Sequence, residues 1–205
     1  EATLPYVPRP VADLMRLLWF CGARVGELVG LRASDIDQSG ELWSVRLDRH
    51  KTAHKGRSRT IYFGAECQAV LRPVMLRTPK DRPLFSPLDS IAERAAAASG
   101  HRRPDQKPTL RETDRTVGEV YDSRAINRAV TRAIASANAD PARDGLPKIP
   151  HWHPHQIRHA FATRARALLG LQHASAALGH ADLQTTQIYA ELETGLAISV
   201  AEKMG

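Results

Sequence analysis

Hydrophobic side chains recur with helical spacing near the start of the chain. A helix is predicted over residues 11–21, ended by Gly22, with an apolar stripe made of Leu14, Leu17, Leu18 and Cys21. A second, short helix is predicted over residues 24–31, with Leu28 and Leu31 buried. Residues 35–40 are turn formers, so this helical part is expected to end there.

The pattern then changes to the two-residue period of a β-strand. Residues 42–48 alternate between two faces, and residues 59–63 are predicted to be the antiparallel partner strand. The connection between them, residues 49–58, is short and strongly basic. A further helix is predicted over residues 65–77, bent or broken near Pro73.

The second half predicts more helices around one irregular region. Residues 86–118 are rich in Pro, Gly and charge apart from a short helical stretch at 95–98, and we expect a flexible insertion there. A helix capped by Ser123 is predicted over 123–137, with Ile126, Val130 and Ile134 inward; another is predicted over 155–168, with Ile157, Phe161 and Leu168 inward. A short helix ends at 178–179, and Asp182 can cap the next. The predicted fold class is mainly α with a small antiparallel β-sheet (α+β).

The composition is that of a globular domain. The chain has 205 residues, of which 42% are hydrophobic and 25% charged, enough for one domain with its own core. Two cysteines exclude a disulfide scaffold and suit a reducing cytoplasm, although a single bridge stays open. No apolar run approaches the ~18–20 residues of a membrane span, and the start lacks signal-peptide features. Because the first residue is not Met, we expect a fragment or a processed chain.

The net charge of +7 favours an anionic partner. The excess is concentrated in residues 45–82, which carry 10 basic and 3 acidic side chains. Lys51, Lys55, Arg57 and Arg59 lie in or beside the predicted hairpin connection. A solvated basic face would show the same pattern, and so would a DNA-binding surface.

Two short motifs combine arginine with residues able to pair with it or to titrate near neutral pH. Arg24 and Glu27 lie three residues apart and can pair on one helical face, as many surface ion pairs do. His155, Arg158 and His159 also share a helical face. A zinc site is one interpretation of the two histidines, but the fixed charge of Arg158 beside them favours an anion such as phosphate.

A last cluster, Leu178-Gly179-His180, is followed nine residues later by Tyr189. With Arg24, His155 and Arg158 it would form a phosphate site that contains a potential nucleophile. The combination resembles the catalytic domain of the tyrosine recombinases, the phage integrase family. The family's Gly-x-Arg-x-x-Glu element matches residues 22–27, its His-x-x-Arg-His matches residues 155–159, and its Leu-Gly-His and following tyrosine match residues 178–180 and Tyr189.

The resemblance spans residues 14–192 and departs from the family at a few positions. Cys21 stands where threonine is common, Ala190 follows the tyrosine where histidine is frequent, and the hairpin is longer than usual. The chain is therefore expected to be a single catalytic domain, residues 1–205, with the insertion at 86–118 and a tail helix at about 192–205. The family's N-terminal DNA-clamping domain is expected to lie outside this chain.

The resemblance implies DNA cleavage and rejoining through a covalent 3′-phosphotyrosyl intermediate. Tyr189 would be the nucleophile and His155 its proton acceptor, while Arg24, Arg158 and His180 would hold the scissile phosphate. Lys51 would protonate the leaving 5′-oxygen, with Lys55 as the alternative. Glu27 would orient an arginine and His159 would be structural. No cofactor and no metal is expected.

Double-stranded DNA is the expected partner, with self-association into a tetramer on paired DNA sites and a monomer for an isolated fragment. The expected location is the cytoplasm, on the bacterial nucleoid. Three alternatives stay open: a type IB topoisomerase-like enzyme, a catalytically idle DNA-binding module and, least favoured, a zinc hydrolase.

Overall fold

The computed structural model describes residues 1–47, 59–99 and 117–179. Its helices and strands follow one another as α1 (Arg9–Cys21), α2 (Val25–Leu28), β1 (Ile36–Asp37), β2 (Trp43–Leu47), β3 (Arg59–Phe63), α3 (Ala65–Arg77), α4 (Pro87–Ser99), α5 (Ser123–Ala139), α6 (His155–Leu169) and α7 (Leu171–Leu178). Short 3-10 turns occupy Leu4–Tyr6, Ala33–Asp35 and Pro141–Arg143. The predicted class, mainly α with a small antiparallel sheet, is confirmed.

The sheet has three antiparallel strands in the order β1-β2-β3. The predicted hairpin is present, since Trp43 pairs with Phe63 and Leu47 with Arg59. The third strand, β1, was expected to be part of a turn; Ile36 pairs with Val45 instead. Strands β2 and β3 alternate in burial, so one face of the sheet covers the core and the other faces solvent.

The core lies between this face of the sheet and helices α1, α3 and α5. The buried side chains include the predicted stripe of α1 and the predicted inward side of α5; the largest of those that are fully buried are Phe63, Phe85, Leu14, Leu17, Leu18, Leu28, Leu71, Leu84, Ile126 and Leu178. Helix α1 packs on both α3 and α6. It therefore connects the sheet side of the domain to the helix that carries His155.

Several local predictions differ from the structure. The predicted second helix ends at Leu28 instead of continuing to residue 31. The region 86–118 begins with a regular helix, α4, whose first residue Pro87 and first-turn Asp89 are typical of a helix start; residues 100–116 lie outside the described part. Helix α5 is capped by Asp122, whose carboxylate accepts the Ala125 amide, instead of by Ser123. Leu168 is 81% exposed, because the inward side of α6 is set by Arg158 and Ala162.

Helix α3 continues through Pro73. Cys21 and Cys67 are buried free thiols. No helix within the described ranges is long and apolar enough to cross a membrane.

Candidate phosphate-binding site

Arg24 lies at the N-terminus of α2, directly after the turn that ends α1. Its guanidinium Nη1 contacts Glu27 Oε1 at 2.8 Å, and its backbone amide donates to Glu27 Oε2 at 2.8 Å. The Glu27 side chain is 5% exposed, whereas that of Arg24 is 32% exposed. The pairing that the spacing of Arg24 and Glu27 predicted is therefore present, and it joins a buried carboxylate to an arginine that still reaches the surface.

Arg158 on α6 joins two distant parts of the chain. Its guanidinium is buried and donates from Nη1 to the Gly22 carbonyl at 2.7 Å and from Nη2 to the Leu178 carbonyl at 2.8 Å. Gly22 precedes Arg24 by two residues, and Leu178 precedes His180 by two. Arg158 thus ties together three motifs that are spread over more than 150 residues of the chain. Two of its five N–H donors serve these carbonyls.

His155 begins α6 and presents its ring at the surface beside His159. The two ring centroids are 4.6 Å apart in an edge-on arrangement. Burial lowers the pKa of His155 below its ordinary value, and the nearby charges of His159, Arg158, His153 and Arg24 lower it further. Burial, followed by His153 and Arg158, also lowers the pKa of His159. The lowered pKa favours the neutral form of the His155 imidazole at pH 7, and the charge of Arg24 contributes to this shift.

The structure explains why two positions in the motifs are occupied by glycine. Gly22 has φ +62° and ends α1, and a Cβ there would overlap the Phe161 ring. Gly179 has φ +64° and ends α7, and a Cβ there would collide with the Arg59 guanidinium. In both places a side chain would displace the residue that packs against the glycine, Phe161 or Arg59.

Arg59 is a buried member of this cluster that the sequence placed in the basic hairpin. Its Nη1 donates to the Leu178 carbonyl, which Arg158 also contacts, and its Nε lies 3.5 Å from Glu27 Oε1. Burial lowers its pKa, while the Glu27 carboxylate opposes that shift. The sequence did contain an indication that Arg59 is buried, because its position alternates in phase with inward-facing Ile61 and Phe63 on β3.

A second feature that sequence reasoning missed is a stripe of arginines on α5. Arg124, Arg128 and Arg132 recur every four residues and all are exposed. Helix α5 contains no acidic residue between its first and last positions, Ser123 and Ala139. Spacing of four residues places the three guanidinium groups along one side of the helix.

Four of the predicted site residues, Lys51, His180, Tyr189 and the alternative Lys55, lie outside the described residues, as does the predicted tail helix. Among residues 1–47, 59–99 and 117–179, no group of three or more His, Cys, Asp or Glu side chains could hold a metal ion.

The family model of the "Phage integrase family" matches residues 7–195 of the chain. The chain belongs to the phage integrase family. This match contains all six predicted site residues, from Arg24 to Tyr189. It also bears out the resemblance drawn from the motifs.

The relatives are bacterial recombinases. Tyrosine recombinase XerC of Chromobacterium violaceum is 29% identical over 184 residues, covering 88% of this chain and 47% of the relative. Tyrosine recombinase XerC of Alcanivorax borkumensis is 25% identical over 181 residues, with the same coverage. The chain therefore spans about half the length of the curated relatives it matches.

Solved structures confirm the fold. XerA recombinase superposes with a TM-score of 0.56 at 23% identity, covering 96% of this chain and 57% of that one. The Tn1549 transposon integrase in complex with circular intermediate DNA gives a TM-score of 0.63 at 17% identity, covering 98% of this chain and 62% of that one.

Proposed function

We propose that the chain is the DNA breaking and rejoining domain of a site-specific recombinase. Tyr189 Oη attacks the scissile phosphorus to form a 3′-phosphotyrosyl bond, and the bond from phosphorus to the 5′-oxygen breaks. His155 takes the phenol proton, and Lys51 gives a proton to the leaving 5′-oxygen. Since the new ester conserves the energy of the old one, rejoining is the reverse reaction and needs no nucleotide.

The observation that carries this proposal is the pair of Arg158 contacts with Gly22 and Leu178. They hold the turn before Arg24 and the turn before His180 against the helix that starts with His155. A neutral imidazole and an accessible guanidinium in one site suit attack on a phosphate: the imidazole accepts a proton and the guanidinium stabilises charge on the non-bridging oxygens. Tyrosine has a pKa of ~10 and needs such a base at neutral pH.

DNA is the partner that we propose. The charge of residues 45–82 and the α5 arginine stripe both favour phosphate contacts. The relatives include integrase and recombinase chains solved as DNA complexes. We place the protein in the cytoplasm on the nucleoid, where such a substrate lies.

We further propose that the whole protein assembles as a tetramer on paired sites through residues 192–205. Leu192, Leu196, Val200 and Met204 recur every four residues there. An apolar groove of about 350 Å³ between α1 and α6, lined partly by Trp19, Phe20 and Ile157, offers a complementary surface on a neighbouring copy. Deleting residues 192–205 should leave binding to one site intact and reduce the paired-site complex on a native gel.

Covalent capture tests the chemistry. The substrate is a pool of DNA duplexes with a randomised centre and a nick beside it. Cleavage releases the short strand next to the nick, so rejoining is prevented and the covalent complex accumulates. The DNA sequence captured in this complex is then recovered. Tyr189→Phe should abolish the adduct, whereas Tyr62→Phe, at an exposed position of β3, should form it normally. EDTA should have no effect. An adduct that persists in Tyr189→Phe would refute the assignment.

The type IB topoisomerase-like alternative shares this chemistry and would give the same adduct. It differs in the steps after cleavage, because it relaxes supercoils on a single DNA without exchanging strands. Joined products from two captured duplexes therefore favour the recombinase. Relaxation of a plasmid with no exchanged product favours the topoisomerase.

A further inference from the structure

The carboxylate of Glu27 is shared by two arginines. Its Oε1 lies 2.8 Å from Arg24 Nη1 and 3.5 Å from Arg59 Nε. Glu27 and Arg59 are almost completely buried, with side chains 5% and 6% exposed, whereas Arg24 extends to the surface. Arg24 is therefore the one member of this trio that an incoming phosphate could contact readily.

The charge of the trio depends on Arg59. A buried carboxylate beside Arg24 would by itself cancel most of the positive charge that Arg24 presents. With Arg59 on the other side of Glu27, the trio keeps one net positive charge. The low-polarity surroundings make this difference larger than it would be between solvent-exposed groups.

Arg59 also holds the backbone of the neighbouring motif. Its Nη1 donates to the Leu178 carbonyl, and its Nε and Nη2 have no hydrogen-bond acceptor among the described residues. Burying a charged guanidinium costs free energy, and the Glu27 carboxylate beside Nε offsets part of that cost.

We infer that Arg59 is a positioning residue for the cleavage reaction: it holds Glu27 and the Leu178 turn and keeps the Arg24 site positive. This inference rests on the proposed function. Arg59 itself is too buried to contact the DNA. It acts by leaving Arg24 oriented and incompletely neutralised, ready for the charge that develops on the scissile phosphate.

The experiment compares Arg59→Gln with the unaltered chain on two forms of the captured duplex. One has the normal scissile phosphodiester, and the other has a methylphosphonate, in which a methyl group replaces a non-bridging oxygen and removes its charge. Arg59→Gln should slow cleavage at least about tenfold on the phosphodiester and less than about threefold on the methylphosphonate. Loss of folded protein would lower both rates equally.

The matched control is Arg77→Gln. Asp13 is shared by Arg16 and Arg77 much as Glu27 is shared by Arg24 and Arg59, but it lies nine residues before Gly22 on α1. Arg77→Gln should leave the ratio of the two cleavage rates unchanged. It controls for the general effect of disturbing a shared carboxylate.

Charge restoration gives a second arm. The double variant Glu27→Gln/Arg59→Gln returns the trio to one net positive charge and buries no unpaired carboxylate. It should cleave the phosphodiester at least about threefold faster than Arg59→Gln, and it keeps the inference testable if the single variant does not fold. Equal losses on both substrates by Arg59→Gln protein that circular dichroism shows to be folded, or no recovery in the double variant, would overturn the inference. Absence of cleavage by the unaltered chain would overturn the proposed function, and this inference with it.

Discussion

The ring of Phe161 on α6 occupies the space that a Cβ at Gly22 would need. Gly22 also has φ +62° and ends α1 through its amide, which donates to the Leu18 carbonyl at 2.9 Å. The contact brings α6 against the turn that precedes Arg24. Helix α6 approaches α1 this closely because position 22 has no side chain.

Gly22→Ala should therefore destabilise the domain by about 2–4 kcal/mol, from left-handed strain and from overpacking against Phe161. Urea denaturation measures the loss. Gly26→Ala is the matched control four residues away, since a Cβ at Gly26 meets nothing within 4 Å; it should be neutral or stabilising by up to about 1 kcal/mol. In a Phe161→Ala background the cost of Gly22→Ala should fall. An unchanged cost would show that the ring contact contributes nothing.

The pKa of His155 should respond to Arg24, while that of His159 should not. Arg24 is among the charges that lower the pKa of His155, whereas burial, His153 and Arg158 lower the pKa of His159. In an NMR titration of the ring protons, both midpoints should fall below the usual value of about 6.5. Arg24→Gln should raise the His155 midpoint and leave the His159 midpoint in place. Equal movement of both would indicate a general rearrangement.

In the proposed mechanism the same shift should set the acid limit of cleavage. The base must be neutral, and a lowered pKa keeps His155 neutral at pH values where an ordinary histidine is protonated. Cleavage should therefore persist below pH ~6.5 and fall only as pH drops through the His155 midpoint. In Arg24→Gln the pH at which cleavage falls off on the acid side should rise together with the His155 midpoint measured by NMR. A fall-off that does not follow the midpoint would assign the base elsewhere.

Lys51 and Lys55 can be separated by their leaving-group dependence. Lys51→Ala should slow cleavage of a normal phosphodiester far more than Lys55→Ala does. A substrate with a 5′-bridging sulfur should restore the rate, because a thiolate leaves without needing a proton. If the sulfur substrate rescues only Lys55→Ala, Lys55 is the proton donor instead of Lys51. If it rescues neither variant, no lysine donates the proton to the leaving group.

The α5 arginines should contribute to DNA affinity by neutralising phosphates. Replacing Arg124, Arg128 or Arg132 with Gln should weaken duplex binding and reduce the slope of log K against log salt by about 0.9 for each phosphate that is no longer neutralised. Arg9→Gln is the control, since Arg9 is exposed but paired with Glu93. Fluorescence anisotropy at several salt concentrations measures both. An unchanged slope in all three variants would exclude α5 from the interface.

Local patterns predicted most of the fold because burial and period agree along α1, α5 and the β2–β3 hairpin. The α5 stripe of Ile126, Val130 and Ile134 is buried as expected. Only residues 95–98 of helix α4 were predicted to be helical, because its Ala-rich sequence lacks a strong apolar period, although Pro87 marks its start. Strand β1 has two residues, too few for any alternation to show.

Contacts of the candidate site between residues that are close in sequence could be predicted, whereas contacts between residues far apart in sequence could not. Glu27 follows Arg24 by one helical turn, and His155, Arg158 and His159 share one face of α6. The burial of Arg59 depends on Glu27 and Leu178, which lie 32 and 119 residues away. The sequence does not reveal contacts at such separations. Its one indication that Arg59 is buried is the alternation of inward-facing and outward-facing residues along β3.

Arg158 contacts Gly22 and Leu178 through their main-chain carbonyls. A carbonyl is present whatever side chain the residue carries, so exchange at position 178 leaves this acceptor in place. The residue that supplies a carbonyl to Arg158 can therefore be substituted without a compensating change at the arginine. A mutational scan should find Arg158 intolerant of substitution and Leu178 permissive toward other apolar residues that fill its buried space.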